Sequence, residues 1–289
     1  MFSWIDKIKV NSQYILPKHL LSRLVGKLAA AELGRVTEFL ISNFIKYYKV
    51  DLSDATIHDI KKFKTFNAFF TRALKKTARP IVSEAKALAH PVDGTVSEYG
   101  EIYKDAVLQA KGHYYSLEAL LGGNATDVKP FLSGDFMTIY LSPKDYHRVH
   151  MPYAGKLEKM IYIPGDLFSV NPLTAKNVDN LFARNERVVC FFNNETLGKF
   201  VVVMVGATIV ASIETVFAGI VAPQRKKEVK IFDYEKENLV FEKGDELGRF
   251  LLGSTVICVF EKSKIEFAKG LTVGTAVKMG TRFAERKAK

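Results

Sequence analysis

Residues 250–260 read FLLGSTVICVF, and a Gly-Ser pair at 253–254 interrupts a run that is otherwise apolar and β-branched. A glycine inside a strand gives up backbone entropy and offers no side chain to pack, so the pair needs a reason. One reason is a β-bulge or a close backbone approach. The other is chemistry: without a Cβ on Gly253, the hydroxyl of Ser254 can approach the carbonyl before it. Such a nucleophile needs a base, and the base an orienting carboxylate. The stretch DYHRVHMP at 145–152 offers His147 and His150, whose spacing puts both rings on one helical face or close together in a turn. HPVDG at 90–94 offers Asp93, in an Asp-Gly pair that is also ordinary turn chemistry. No cluster of Cys, Asp or Glu supplies further ligands around the two histidines, so no metal is expected. A G-x-S-x-G elbow is missing, and a serine, a histidine and an aspartate taken alone do not specify a reaction.

The stretch 168–189, FSVNPLTAKNVDNLFARNERVV, carries Asn171, Thr174, Asn177, Asn185, Glu186 and Arg187 and reads as a loop beside a pocket. His19, His58 and His113 have no context that marks them. Cys190 and Cys258 lie in apolar, strand-like runs, too far apart for a disulfide framework or zinc site, and read as buried thiols of a reducing compartment.

The chain has 289 residues, 48% hydrophobic and 25% charged, which is globular and long enough for one extended domain or two. Its 42 basic and 31 acidic side chains leave +11, and that implies an anionic partner. Zinc-finger spacing, RNP-like aromatics and a dense basic arm are all lacking, so a membrane surface is favoured over nucleic acid. The start, MFSWIDKIKV, has neither an apolar h-region nor a cleavage site. The longest uncharged apolar run, 200–213, has 14 residues and β-branched content, so it reads as a core strand rather than a membrane span.

Ahead of these residues the pattern is helical. Leu20, Leu21, Leu24, Val25 and Leu28 recur at helical spacing after Pro17, and residues 1–50 hold eight Lys/Arg against three Asp/Glu, a net +5. Basic residues framing an apolar face suit a helix lying in a lipid interface, and equally a helix packed on its own domain. A second helical stretch is expected through Phe66, Phe69, Phe70 and Leu74. From about Pro80 short β-rich runs take over. PVDGTV at 91–96 and PYAGKL at 152–157 share a turn pattern, and PGD at 164–166 is echoed by KGD at 243–245. The expected fold class is α+β: N-terminal amphipathic helices, then a mainly antiparallel, sandwich- or barrel-like core with short helices. The expected division is a helical, membrane-docking region at 1–79 and a β-rich catalytic core at 80–289.

LGST at 252–255, DYHRVHMP, HPVDG and FNAFFTRALKKTARPI at 66–81 together resemble phosphatidylserine decarboxylases of the bacterial and mitochondrial membrane-associated type. FSVNPLT, LFARNERV, VGATIVASI and KGDELGRFLLGSTVI extend the resemblance from about residue 60 to about residue 261. It implies a proenzyme that cuts itself between Gly253 and Ser254. His150 would take the hydroxyl proton and Asp93 would hold the imidazole tautomer. An N→O acyl shift followed by β-elimination would leave a dehydroalanine, which hydrolyses to a pyruvoyl group, the covalent cofactor made from Ser254. The pieces would be 1–253 (β chain) and 254–289 (α chain), held as a heterodimer, with further homo-oligomerisation left open.

The resemblance further implies that the pyruvoyl ketone forms an imine with phosphatidylserine and that CO₂ is lost to give phosphatidylethanolamine, with His147 serving the decarboxylation stage. The implied place is the cell membrane, peripheral, on the cytoplasmic face, against anionic lipid. Two rivals have different observables: an uncleaved serine hydrolase using Ser254, His150 and Asp93, and a non-catalytic lipid-surface module indifferent to Ser254→Ala.

Overall fold

The computed structural model describes residues 4–208, 212–224, 228–251 and 254–288, so Gly253 lies outside the described residues. Three helices come first: α1 (Trp4–Ile15), α2 (Lys18–Ala30) and α3 (Arg35–Tyr48). Pro17, which has no N–H to continue a helical ladder, separates the first two. Lys49 ends α3 in the left-handed conformation (φ 54°) with its N–H on the Ile45 carbonyl. Helix α1 docks through Gln13, which donates to Thr174 Oγ1 (3.2 Å) and accepts from the Ser169 N–H (2.8 Å).

Helix α2 is turned inside out. Its stripe Leu20, Leu24 and Leu28 is 58%, 58% and 48% exposed, while Lys18, Ser22 and Ala29 are buried. An amphipathic helix in water puts its leucines the other way.

Helix α4 (Phe66–Phe70) is N-capped by Thr65, whose Oγ1 accepts from the Ala68 N–H at 3.0 Å. The periodicity predicts helix as far as Leu74, but the helix stops at Phe70. Residues 73–75 pair instead with 54–56: the Thr56 N–H donates to the Ala73 carbonyl and the Lys75 N–H to that of Asp54, both at 2.9 Å. Phe69 and Phe70 are buried, and Phe44 of α3 packs edge-on against them.

Eight strands carry the argument: β1 (Gly94–Glu101), β2 (Asp135–Leu141), β3 (Arg148–His150), β4 (Gly155–Ile163), β5 (Arg187–Asn194), β6 (Gly198–Val205), β7 (Glu246–Phe250) and β8 (Ser254–Phe260). The main sheet is antiparallel in the order β4-β5-β6-β8-β2-β1, extended at its two edges by short strands at 230–233 and 276–277. Strands β3 and β7 pair in a second sheet with Ile213–Thr215 and Gly219–Ala222. The α+β architecture is therefore present, and among the described residues no sheet closes into a barrel.

Every residue of β8 is buried, which explains why its sequence is a continuous apolar run rather than an alternating one. Cys190 and Cys258 lie in this core, and burial pushes both thiols up to about 12. The repeated Pro-x-x-Gly turns do one job twice, delivering the chain into β1 at Gly94 and into β4 at Gly155. At Gly94 a Cβ would collide with the Tyr140 carbonyl oxygen, so this glycine serves close strand approach.

Candidate active site

Ser254 is the first residue of β8 and pairs on one side only, opposite Leu141 at the end of β2. It is fully buried, and its hydroxyl makes no hydrogen bond among the described residues. Thr95, Tyr140 and Thr255 stand in one row across β1, β2 and β8. That row brings the Asp93–Gly94 turn and Ser254 to the same end of the sheet.

Beyond Leu141 the chain turns through Ser142–Tyr146 and enters β3. His147 therefore precedes a strand and His150 ends it, with no helix between them, and the two face different surroundings. His147 is fully buried and stacked on Phe70, ring centroids 4.0 Å apart. Its Nε2 donates to the Ser142 carbonyl at 3.1 Å, which leaves Nδ1 as a buried lone pair with no partner. Burial, helped by the nearby Arg72 charge, pushes this imidazole down to about 3. Its backbone carbonyl accepts from the Phe250 N–H at 3.0 Å, which ties the turn to the end of β7, four residues before Ser254.

His150 Nδ1 donates to the Gly244 carbonyl at 2.8 Å, so Nε2 carries the lone pair and accepts from the Tyr146 hydroxyl at 3.0 Å. Burial lowers its pKa as well. Here the sequence expectation is corrected. The tautomer given to Asp93 is fixed by Gly244, because a backbone carbonyl can only accept. Asp93 instead holds Arg79, whose Nη2 donates to Oδ2 at 2.5 Å and Nε to Oδ1 at 2.9 Å, and its Oδ1 also accepts from the Met279 N–H at 2.8 Å. Arg79 reaches on to Asp54 at 2.7 Å. Asp93 still belongs to the corner, since the His150 N–H donates to the Pro91 carbonyl at 2.8 Å.

Residue-by-residue reading missed Arg79, Tyr146 and the Gly244 carbonyl. Tyr146 lies between Asp145 and the histidines, and Arg79 ends the FNAFFTRALKKTAR run. Neither had a partner to mark it until the fold supplied one. The 168–189 stretch lies elsewhere in its hydrogen bonding: Asn185 Nδ2 donates to Phe168 and Gly206 carbonyls, and Arg187 to those of Leu120 and Ala183. These side chains hold loops together. His113 is bound to Asp179 on the surface.

Three buried neutral histidines make stability fall as the solution is acidified. His90 is pushed down to about 4 and His147 to about 3, with His150 shifted the same way. Each folded value lies below the unfolded one, so the unfolded chain binds more protons as pH drops through 6.5. Each such group then costs about 1.4 kcal/mol per pH unit until its folded value is reached. Asp135, pushed up to about 6 by burial, and Asp145 and Glu98, shifted up by burial too, work the opposite way and offset part of the fall. The expected result is a lower thermal midpoint by circular dichroism at pH 5 than at pH 7, with a shallower fall in His90→Gln. A midpoint that is flat or rises on acidification would show that these rings are not held neutral.

The family model described as "Phosphatidylserine decarboxylase" matches residues 66–285, and a second model, described as "PSD", matches residues 8–49. A phosphatidylserine decarboxylase proenzyme of Psychromonas ingrahamii is 56% identical over 282 residues, covering 98% of both chains. The proenzyme of the same name from Shewanella frigidimarina is 57% identical over 287 residues, covering 98% of this chain and 99% of its own. With matches of this length on both counts, the chain belongs to the phosphatidylserine decarboxylase family.

Proposed function

We propose that this chain is a proenzyme that cuts itself between Gly253 and Ser254 and then converts phosphatidylserine to phosphatidylethanolamine. The observation that carries the reading is the Ser254 hydroxyl, buried without a partner at the corner that holds His147, His150 and Asp93. A buried hydroxyl usually finds a hydrogen bond. This one has no partner among the described residues, so its conversion to a ketone sacrifices no hydrogen bond.

In the cut, Ser254 Oγ adds to the Gly253 carbonyl while His150 Nε2 accepts the hydroxyl proton. Nitrogen leaves as the amine, and the ester so formed is eliminated to the Gly253 carboxylate and a dehydroalanine. Hydrolysis of the latter gives the pyruvoyl group and ammonia. The Asp93–Arg79 clamp fixes the turn that carries the Pro91 carbonyl, and thereby the His150 backbone. A pyruvoyl group made from Ser254 would supply an N-terminal ketone able to take up the substrate amine and serve as the electron sink for loss of CO₂. His147 Nδ1, buried and without a partner, would handle a proton at that stage. The 36-residue piece 254–289 begins with β8, which is hydrogen-bonded on both sides inside the main sheet. The two pieces therefore stay together as a heterodimer.

The helical region 1–79 would dock on an anionic leaflet and present the core 80–289 to its lipid. No described helix is long and apolar enough to cross a membrane. What supports docking is the inside-out α2, together with Trp4 (76% exposed), Ile15 (87%) and Phe39 (67%) on the neighbouring helices. Changing Leu20 and Leu24 together to glutamate should cut flotation on phosphatidylserine vesicles by at least about tenfold, since each leucine contributes roughly 1.5–3 kcal/mol on burial. Unchanged flotation with a normal fold would remove the docking face.

The functional reading itself is tested by incubating the purified protein with phosphatidylserine while labelling carbonyls. Phosphatidylethanolamine should appear, and the label should fall on the N-terminus of the 36-residue piece. Reaction of the intact chain with a fluorophosphonate probe, and no decarboxylation, would overturn it.

A further inference from the structure

A cavity of about 410 Å³ opens beside Ser142 and Asp93, and its walls carry both charges. Lys49, Arg72, Arg79, Lys144 and Lys278 face Asp51, Asp54, Asp93 and Asp145 across it. The carboxylates are mostly satisfied from within. Asp54 and Asp93 share Arg79, Asp145 accepts from the Ser142 N–H and hydroxyl at 2.7 Å each, and Asp51 accepts from Ser53. Apart from Arg79, the cations are not. Lys49, Lys144 and Lys278 form no ion pair among the described residues.

Arg72 is the sharpest case, because it is only 5% exposed. Its Nη2 donates to the Lys144 and Asp145 carbonyls, while Nε and Nη1 are buried with no partner. Asp93 and Asp145 offset its charge through space without bonding its guanidinium. A buried guanidinium with idle donors costs several kcal/mol unless an anion completes it.

Next to this cavity runs an apolar groove of about 470 Å³ lined by Val25, Leu28, Phe44, Tyr47, Tyr48 and Phe66. Tyr48 lines the groove and the next residue, Lys49, lines the charged cavity, so a charged site and an apolar channel meet at the end of α3.

We propose that the charged cavity holds the phosphodiester of the substrate lipid, with Arg72 as its principal ligand and Lys144 and Lys278 at its rim, and that the groove takes the lipid's acyl end. The inference rests on the function proposed above and names the recognition residues of that same site. The phosphodiester is favoured over the serine carboxylate on energetic grounds. A full ion pair to the carboxylate would stabilise the ground state against loss of CO₂, whereas the phosphodiester keeps its charge from substrate to product.

Product discriminates the two anions, because phosphatidylethanolamine retains the phosphodiester and lacks the carboxylate. In the Arg72→Gln enzyme, the cut should still occur. KM for short-chain phosphatidylserine should rise roughly 10- to 100-fold with a smaller change in kcat. Binding of short-chain phosphatidylethanolamine, measured by calorimetry, should weaken by the same factor, and Arg72→Lys should restore part of both. If kcat falls while product binding is unchanged, Arg72 serves the carboxylate or His147 and the phosphodiester assignment is overturned; unchanged KM and product binding overturn it too. Should Arg72→Gln fail to fold, the rim pair Lys144→Gln/Lys278→Gln decides, with the same signature expected at smaller size. A wild-type chain that neither cuts itself nor decarboxylates would remove the functional reading, which is a different result from a working wild type whose Arg72 variant is indifferent.

Discussion

Replacing Ser254 by alanine is expected to leave one chain of 32.4 kDa in denaturing mass analysis, where the wild type gives two pieces of 253 and 289 − 253 = 36 residues. Decarboxylation should fall below detection, because without the side-chain oxygen there is neither a nucleophile for the cut nor a source for the ketone. The fold should survive. The Ser254 hydroxyl is buried and bonds to none of the described residues, so its removal breaks no hydrogen bond among them and relieves the cost of its desolvation, leaving stability equal to or above that of the wild type. That makes the variant unusually clean: lost processing with an unchanged or raised thermal midpoint isolates chemistry from folding. Carbonyl-reactive label should appear on the 36-residue piece of the wild type and nowhere on the variant. Two pieces from Ser254→Ala would mean that another group or a protease makes the cut. One piece from the wild type would point instead to the uncleaved hydrolase.

What the sequence made legible was mostly periodic or compositional. A buried central strand announces itself as VICVF because both its faces meet other residues, and the N-terminal helices announce themselves by leucine spacing. Spacing does not say which way a helix faces. The leucines of α2 read as well for a packed helix, and only the burial of Lys18 and Ser22 shows that they point outwards. The twin Pro-x-x-Gly turns were legible as turns, but the need for Gly94 comes from Tyr140, 46 positions further on, and no local pattern carries that.

The site follows the same division. Ser254, His147, His150 and Asp93 stand out by residue type and context, but only the resemblance to a family joins them into one site with roles. Their partners were assigned by analogy with a triad, and there the reading failed. Gly244 orients His150, and a backbone carbonyl leaves no trace in a residue pattern. Arg72 and Arg79 lie seven apart in one basic run, yet Arg79 is paired with two aspartates while two nitrogens of Arg72 face no partner. That difference is tertiary.

The two histidines should separate the two halves of the reaction when each is replaced by an amide that keeps its structural hydrogen bond. In His150→Asn, the amide N–H can replace Nδ1–H on the Gly244 carbonyl, but nothing remains at the Nε2 position to accept the Ser254 proton. The cut should slow by about 10²- to 10⁴-fold, the usual worth of a general base, with intact chain accumulating in a time course of newly made protein. In His147→Gln, the amide N–H can replace Nε2–H on the Ser142 carbonyl, and the basic Nδ1 is gone. That chain should be cut at close to the wild-type rate yet decarboxylate on the order of 10²-fold more slowly. Burial lowers the pKa of both rings, so the unprotonated form of each persists below the pH at which an exposed histidine protonates. The wild-type cutting rate should therefore stay level from pH 8 to pH 6, where an exposed histidine would already be losing its lone pair. Tyr146→Phe removes the hydroxyl that occupies Nε2, and cutting should persist, since the lone pair is then free. If His150→Asn is cut as fast as the wild type, or His147→Gln is blocked before the cut, the roles are reversed: the proton of Ser254 then goes to the unpartnered Nδ1 under Phe70, and His150 acts after the ketone has formed.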